Sequence, residues 1–301
     1  MRRTFIVGCP RSGTTLVQAL LARHPAVLTL PETAFFEYLH GSLEWRWGDR
    51  GAKPRKIRLR HRLGFAHKRA RMKLAALRRS LPSSVHAGPI SRRVTGCVCQ
   101  FITMLDGCAD AAGCSMWVEK TPYHLLYVPE IEHQVPEARF VHVIRAGEDV
   151  LASVADANMR FDRNNAFGGG TIHWARRWNH AVKMHLAYKN RPRHHFIFLE
   201  DLIADRNGEW HRLCTFLDLD SNAELDRSCA QIVTDLDSEP WKQDAVSGVP
   251  QPSLRKAEQV FGPQVRQWLQ DKLLPYDELR RCLGAKDIAK TARDASQRSC
   301  R

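Results

Sequence analysis

The chain lacks any apolar run approaching the roughly 18 residues that a membrane-spanning helix needs, although hydrophobic residues make up 44% of its 301 positions. Nothing in the pattern calls for a transmembrane segment. Paired Cys-x-x-Cys spacing is missing too, and nine cysteines are an odd number, which suits a reducing compartment better than a disulfide framework. Cys97, Cys99, Cys108 and Cys114 cluster, but their intervals are not those of a zinc site and their neighbours are apolar. They read as buried thiols rather than metal ligands. Met1-Arg-Arg runs directly into a strand pattern and leaves no room for a signal peptide ahead of it, so a cytoplasmic location is expected.

Acidic residues are absent from Arg50 to Ser80, where 13 of the 46 Lys and Arg residues fall. The formal charge of +14 is therefore the property of one segment, because the remaining 33 basic side chains nearly balance 32 acidic ones. Two readings stand for it. One is a steering patch for an anionic partner, whether a polyanionic acceptor, a nucleic acid or a membrane surface. The other is a solvated helical face.

A lysine is missing from the stretch around which the chain is organised, Phe5-Ile-Val-Gly-Cys-Pro-Arg-Ser-Gly-Thr-Thr-Leu16. An apolar run passes through two glycines five apart and continues into Leu16, Val17, Leu20 and Leu21 at helical spacing, which reads as strand, tight loop, helix. Orphan amides and the positive end of the helix dipole make such a loop an anion site. Gly8 and Gly13 stand where a nucleotide-binding phosphate loop has them, but Thr14 occupies the lysine position, with Thr15 after it and Arg11 inside the loop. A nucleotide triphosphatase uses that lysine on the outer phosphates, together with a carboxylate-held magnesium. A strand-to-helix turn with no ligand is the alternative.

Strand and helix signals alternate along the rest of the chain. Ala26 to Leu30 reads as a second strand, ending at Pro31 with Glu32 directly after it. Residues 41–116 are expected to be mainly helical, with one or two amphipathic helices in the basic segment and another over Val94–Leu105. Trp117 to Lys120 is a short strand, and Arg139 to Arg145 is a near-continuous apolar one of the kind buried in a parallel sheet. Arg145 ends it where a magnesium-dependent enzyme would want a carboxylate. Gly147 to Ala157 reads as the next helix, 172–188 as another, His195 to Leu199 as a strand and Trp210 to Leu217 as a helix. A loop is expected over 235–252, and a frayed tail over 285–301. The fold class that follows is α/β, an open parallel sheet flanked by helices on both faces, forming a single domain over 1–284. Arg11, Glu32, Lys120, Arg145 and Ser153 all come from positions at strand ends or just beyond, where such folds bind ligands.

These positions resemble the sulfotransferases that use 3′-phosphoadenosine 5′-phosphosulfate (PAPS). Pro10-Arg-Ser-Gly-Thr-Thr15 is similar to the family's 5′-phosphosulfate loop, and Val143-Ile-Arg-Ala-Gly-Glu-Asp-Val-Leu-Ala-Ser153 to its 3′-phosphate motif. Pro31-Glu-Thr33, Glu119-Lys-Thr-Pro122 and Phe198-Leu-Glu-Asp-Leu202 match as well, closest to the bacterial and tyrosylprotein branch. Ala146 and Glu148 depart from the usual motif. The resemblance implies a phosphate-loop-type fold and transfer of a sulfuryl group to a hydroxyl or amine, with the product 3′-phosphoadenosine 5′-phosphate (PAP) and no metal. It implies Glu32 as base, Lys120 on the leaving oxygen and Arg11 at the transferred group. Pro10, Arg11, Ser12, Gly13, Thr14 and Thr15 would hold the phosphosulfate, and Arg145 with Ser153 the 3′-phosphate. The rival classes are a phosphate-loop nucleotide kinase, and a non-enzymatic binder of nucleic acid or another polyanion built on residues 50–80.

Overall fold

The computed structural model describes residues 1–56, 59–81, 88–161, 167–225 and 255–284. The expected loop over 235–252 and the expected tail over 285–301 lie outside them. The chain divides into two compact units. Over the described residues, the first comprises Met1–Gly8, Thr14–Phe140 and 223–225, and the second Cys9–Gly13, Val141–Asn222 and 255–284.

In the first unit, β1 (Arg2–Gly8) is buried from Thr4 onward, which is why Phe5, Ile6 and Val7 follow one another without polar alternation. The helix α1 (Thr14–Leu21) is buried at all eight positions, and β2 (Val27–Leu30) follows. Short helices α2 (Phe35–His40), α3 (Leu43–Arg46) and α4 (Leu59–Arg62) precede α5 (Lys68–Ser80) and α6 (Val94–Ala111). Then come β3 (Met116–Lys120), a 3₁₀ turn over Pro122–Tyr127 and α7 (Val128–Gln134). β3 runs parallel to both β1 and β2, with Ile6 opposite Lys120 and Leu30 opposite Glu119. Aromatic rings fill the centre: Phe5 meets Trp117 edge-on at 5.4 Å, and Phe35 stacks on Phe101 at 4.3 Å.

The helix α6 runs six residues past its expected end. Asp106 breaks the apolar spacing but is only partly exposed and is held in place, since it accepts from Arg3 at 2.7 Å and from the Trp117 indole at 2.7 Å. Of the clustered cysteines, Cys97 and Cys108 are buried on the inner face of this helix as expected, whereas Cys99 is exposed and Cys114 is half-buried beyond the helix end. Residue 99 falls between the buried positions 98 and 101, off the inward stripe.

The chain then runs through β4 (Ala138–Ile144) into the second unit, with α8 (Gly147–Phe161), α9 (Gly170–Ala187), β5 (His194–Phe198), α10 (Leu199–Ala204) and α11 (Arg206–Leu217). Helices Lys256–Val260, Pro263–Lys272 and Tyr276–Cys282 complete it. The expected open α/β architecture is present: the five strands form one sheet in the order β2-β3-β1-β4-β5, flanked by helices. Among the described residues no helix is long and apolar enough to cross a membrane.

Three histidines form a chain inside the second unit. His142 lies 3.0 Å from His185 through the two Nδ1 atoms, and its Nε2 lies 2.8 Å from Nδ1 of His194. Burial drives His142 far below its ordinary range, with His185, His194 and His195 adding to the effect, and pushes His185 down to about 3. Both imidazoles are therefore neutral in the folded state and protonate first in the unfolded one, so acid favours unfolding. Stability is expected to fall by about 1.4 kcal/mol per pH unit for each of them below about pH 6.5. For His185 the decline ends near pH 3. Urea unfolding from pH 7 to pH 5 checks this, with His185→Leu flattening the decline and a flat wild-type profile contradicting it.

Candidate active site

In the first unit the site begins where β3 ends. Successive residues of a strand point to opposite sides, so Glu119 and Lys120 serve two separate groupings. Lys120 is fully buried, ion-paired to Glu32 and 3.3 Å from the Thr15 hydroxyl. Glu32 follows β2 by two residues, and α1 is tied to that strand's end because Gln18 donates to the Leu30 carbonyl at 2.8 Å. Glu32, Lys120 and Thr15, picked from three separate stretches of sequence, thus come together.

Glu119, given no role in the sequence reading, organises the other side. Its buried carboxylate accepts from the Thr33 amide at 3.2 Å, the Thr33 hydroxyl at 2.7 Å, the Thr121 hydroxyl at 2.6 Å and the His124 ring at 2.9 Å. Thr121 in turn accepts from the Ala34 amide at 3.1 Å. Burial alone would raise the Glu119 pKa, but the charge and hydrogen bond of His124, with those of Thr121 and Thr33, bring it below the ordinary carboxylate range. This network pins residues 33 and 34, and hence the approach of Glu32. Ala34 is held in the left-handed region at φ 48°, a conformation that surroundings must enforce. Glu119→Ala is expected to lower unfolding free energy by about 3–5 kcal/mol, the usual cost of breaking a buried paired charge. Urea melts measure it, and a loss under about 1 kcal/mol would show that the network is dispensable.

In the second unit the loop Cys9–Gly13 turns tightly, with the Ser12 amide bonded to the Cys9 carbonyl at 3.2 Å. Arg11 sits at φ 71°, left-handed and non-glycine, which costs about 1–2 kcal/mol. Gly13, at φ 97°, is required conformationally, and a Cβ there would also press on the end of the Leu199 side chain at 2.8 Å. Pro10 and Ser12 are buried in this loop, as are Thr14 and Thr15 at the start of α1 in the first unit. Burial pushes the Cys9 thiol up to about 12, so it stays protonated and unreactive.

Arg11 reaches Ser153, its Nε donating to Oγ at 3.0 Å across 142 residues of sequence. Arg145 is 3.5 Å from the Arg11 carbonyl and 4.0 Å from Asp149. Its backbone is fixed on both sides, as the Trp178 indole donates to the Arg145 carbonyl at 3.1 Å and the Ala146 amide donates to Glu200 at 3.0 Å. Gly147 admits this packing, because a Cβ there would meet the Trp178 ring at 2.8 Å. Burial lowers the Arg145 pKa against the opposing pull of Asp149, Glu200 and Tyr276, yet a guanidinium remains charged. Asp149 is raised by burial despite the Ala257 amide at 2.9 Å and Arg145. Ser153 and Arg145 are each only about a twentieth exposed, at 4% and 6%. Buried guanidinium and hydroxyl donors of this kind are chemically suited to an anion with several oxygens.

The Sulfotransferase family model matches residues 4–223 of the chain. No curated protein matches it. Among solved structures, a sulfotransferase from Alicyclobacillus acidocaldarius is 14% identical with a TM-score of 0.52, covering 96% of this chain and 98% of that one. Another from Mycobacterium tuberculosis is 18% identical with a TM-score of 0.44, covering 87% and 76%. A mouse sulfotransferase complexed with PAP is 14% identical with a TM-score of 0.46, covering 97% and 88%. At such identities the Alicyclobacillus structure speaks for the fold.

Proposed function

Because the chain belongs to the sulfotransferase family, we propose that it moves a sulfuryl group from PAPS to a hydroxyl or amine of an acceptor. The observation that carries this is the Arg11–Ser153 hydrogen bond, which joins the loop after β1 to the Arg145-to-Ser153 segment. The donor set fits the nucleotide: two guanidiniums, buried hydroxyls and loop amides suit two anionic groups, while Thr14 in place of the phosphate-loop lysine and Arg145 in place of a metal carboxylate do not suit magnesium–ATP. PAPS supplies a sulfuryl group on a 5′-phosphate leaving group and a 3′-phosphate by which it is gripped.

Residues 10–15 hold the phosphosulfate end, with Arg11 and the hydroxyls of Thr14 and Thr15 taking its oxygens. Arg145 and Ser153 hold the 3′-phosphate, the guanidinium by a bidentate grip. Glu32 accepts the acceptor's proton as the acceptor oxygen or nitrogen bonds to sulfur. Lys120 donates to the bridging oxygen as its bond to sulfur breaks and negative charge passes to the 5′-phosphate. The Glu32–Lys120 ion pair supports these roles, since the two side chains are already in contact. The odd number of cysteines, with no paired Cys-x-x-Cys spacing, supports a cytoplasmic, reducing location.

Incubation with PAPS and a panel of phenols, alcohols and amines should release PAP in step with sulfated acceptor. Phosphoryl transfer from magnesium–ATP, with PAPS left intact, would overturn the proposal in favour of a kinase.

A further inference from the structure

We propose that residues 59–79 form a docking surface for an anionic lipid bilayer. The stretch lies within the segment that holds 13 Lys and Arg and no acidic residue. In α5, Ala70 and Leu74 are fully buried, while Lys68, Arg69, Met72, Lys73, Ala76 and Arg79 are exposed. The outward face of this helix is thus cationic with Met72, 59% exposed, in its middle.

One turn earlier, Leu59 and Leu63 are 71% and 59% exposed. The Leu63 amide, just past α4, donates to the Leu59 carbonyl at 3.0 Å, so the two leucines lie on one side of this turn, with exposed Arg62 beside them. The His61 and His67 rings, 3.4 Å apart, join this turn to the start of α5. Three of the nine large apolar side chains exposed among the described residues therefore fall within 14 positions of the most basic part of the chain.

This combination selects the partner. A face designed only for water has no use for two leucines one turn apart, since exposed apolar area is unfavourable. A nucleic acid or sulfated polysaccharide would neutralise the cations and leave Leu59, Leu63 and Met72 in water. An anionic bilayer takes both, its headgroups pairing with Lys and Arg and its acyl boundary accepting the apolar side chains. The inference stands apart from sulfuryl transfer, and its failure would leave that reading untouched.

Sedimentation of the full chain with vesicles tests it. The protein should pellet with phosphatidylcholine vesicles containing phosphatidylserine, remain in solution with phosphatidylcholine alone, and be released by salt. Replacing Leu59 and Leu63 together by Ser should weaken vesicle binding roughly tenfold, leaving the thermal melt and retention on heparin unchanged. Met72→Ser should weaken it independently, and Arg62→Gln with Arg69→Gln should cost roughly fivefold per cation. Vesicle binding unaffected by the leucine and methionine changes would overturn the proposal. So would tight heparin binding with no pelleting, which assigns the segment to a soluble polyanion.

Discussion

Glu32→Gln is expected to slow sulfuryl transfer by about 10²–10⁴-fold, the usual contribution of a positioned general base, with PAP binding preserved. The amide keeps the size and one hydrogen-bond acceptor of the carboxylate but takes no proton at neutral pH. The nucleotide grip assigned to Arg11, Arg145 and Ser153 is not touched by this change, so the loss should appear in kcat. Lys120 is fully buried and paired with Glu32, and the variant leaves its ammonium without that carboxylate. Thermal stability must therefore be followed alongside. Near wild-type turnover with intact PAP binding would remove Glu32 from the mechanism.

Arg145→Ala is expected to weaken PAP binding about 100-fold, or about 2.7 kcal/mol, the scale of two charge-assisted hydrogen bonds lost together. Arg145 is buried and its carbonyl is held by Trp178, so the guanidinium is delivered with little freedom left to lose. Arg145→Lys should recover only part of the loss, because an ammonium restores charge without the planar fork. Removing the guanidinium also takes the opposing charge from Asp149, whose carboxyl burial already raises. That carboxyl can take a proton instead of remaining a bare buried charge, so stability should suffer less than binding. Calorimetric titration of PAP into both variants measures the effect, and wild-type affinity in Arg145→Ala would remove this residue from the nucleotide site.

What could be read in the sequence was what short-range pattern carries. The apolar run of β1, the glycine spacing after it, and the apolar run of β4 ending at Arg145 are local signals, and each element stands where the pattern put it. Glu32 and Lys120 were legible as charged residues at strand ends. Glu119 was not, because its meaning lies in partners at residues 33, 121 and 124 that meet only when β2 and β3 pair. The left-handed backbone of Arg11 has no signature either, whereas that of Gly13 does, since glycine is the residue that adopts it freely. Supports from the C-terminal helices were equally hidden. The Ala257 amide reaches Asp149 across 108 residues and the Tyr276 hydroxyl reaches Glu200 across 76, and no periodicity encodes such bonds. The end of α6 was missed for a related reason, as Asp106 looks like a surface residue until Arg3 and Trp117 are found bonded to it.

The proposed grip of Arg145 and Ser153 on a nucleotide's 3′-phosphate is open to direct measurement. Calorimetric comparison of PAP with adenosine 5′-phosphate, which differs only in lacking that phosphate, tests it on the unaltered protein. PAP should bind about 100-fold more tightly, a gap of about 2.7 kcal/mol, and Arg145→Ala should close most of it. Equal affinity for the two nucleotides would contradict the claim.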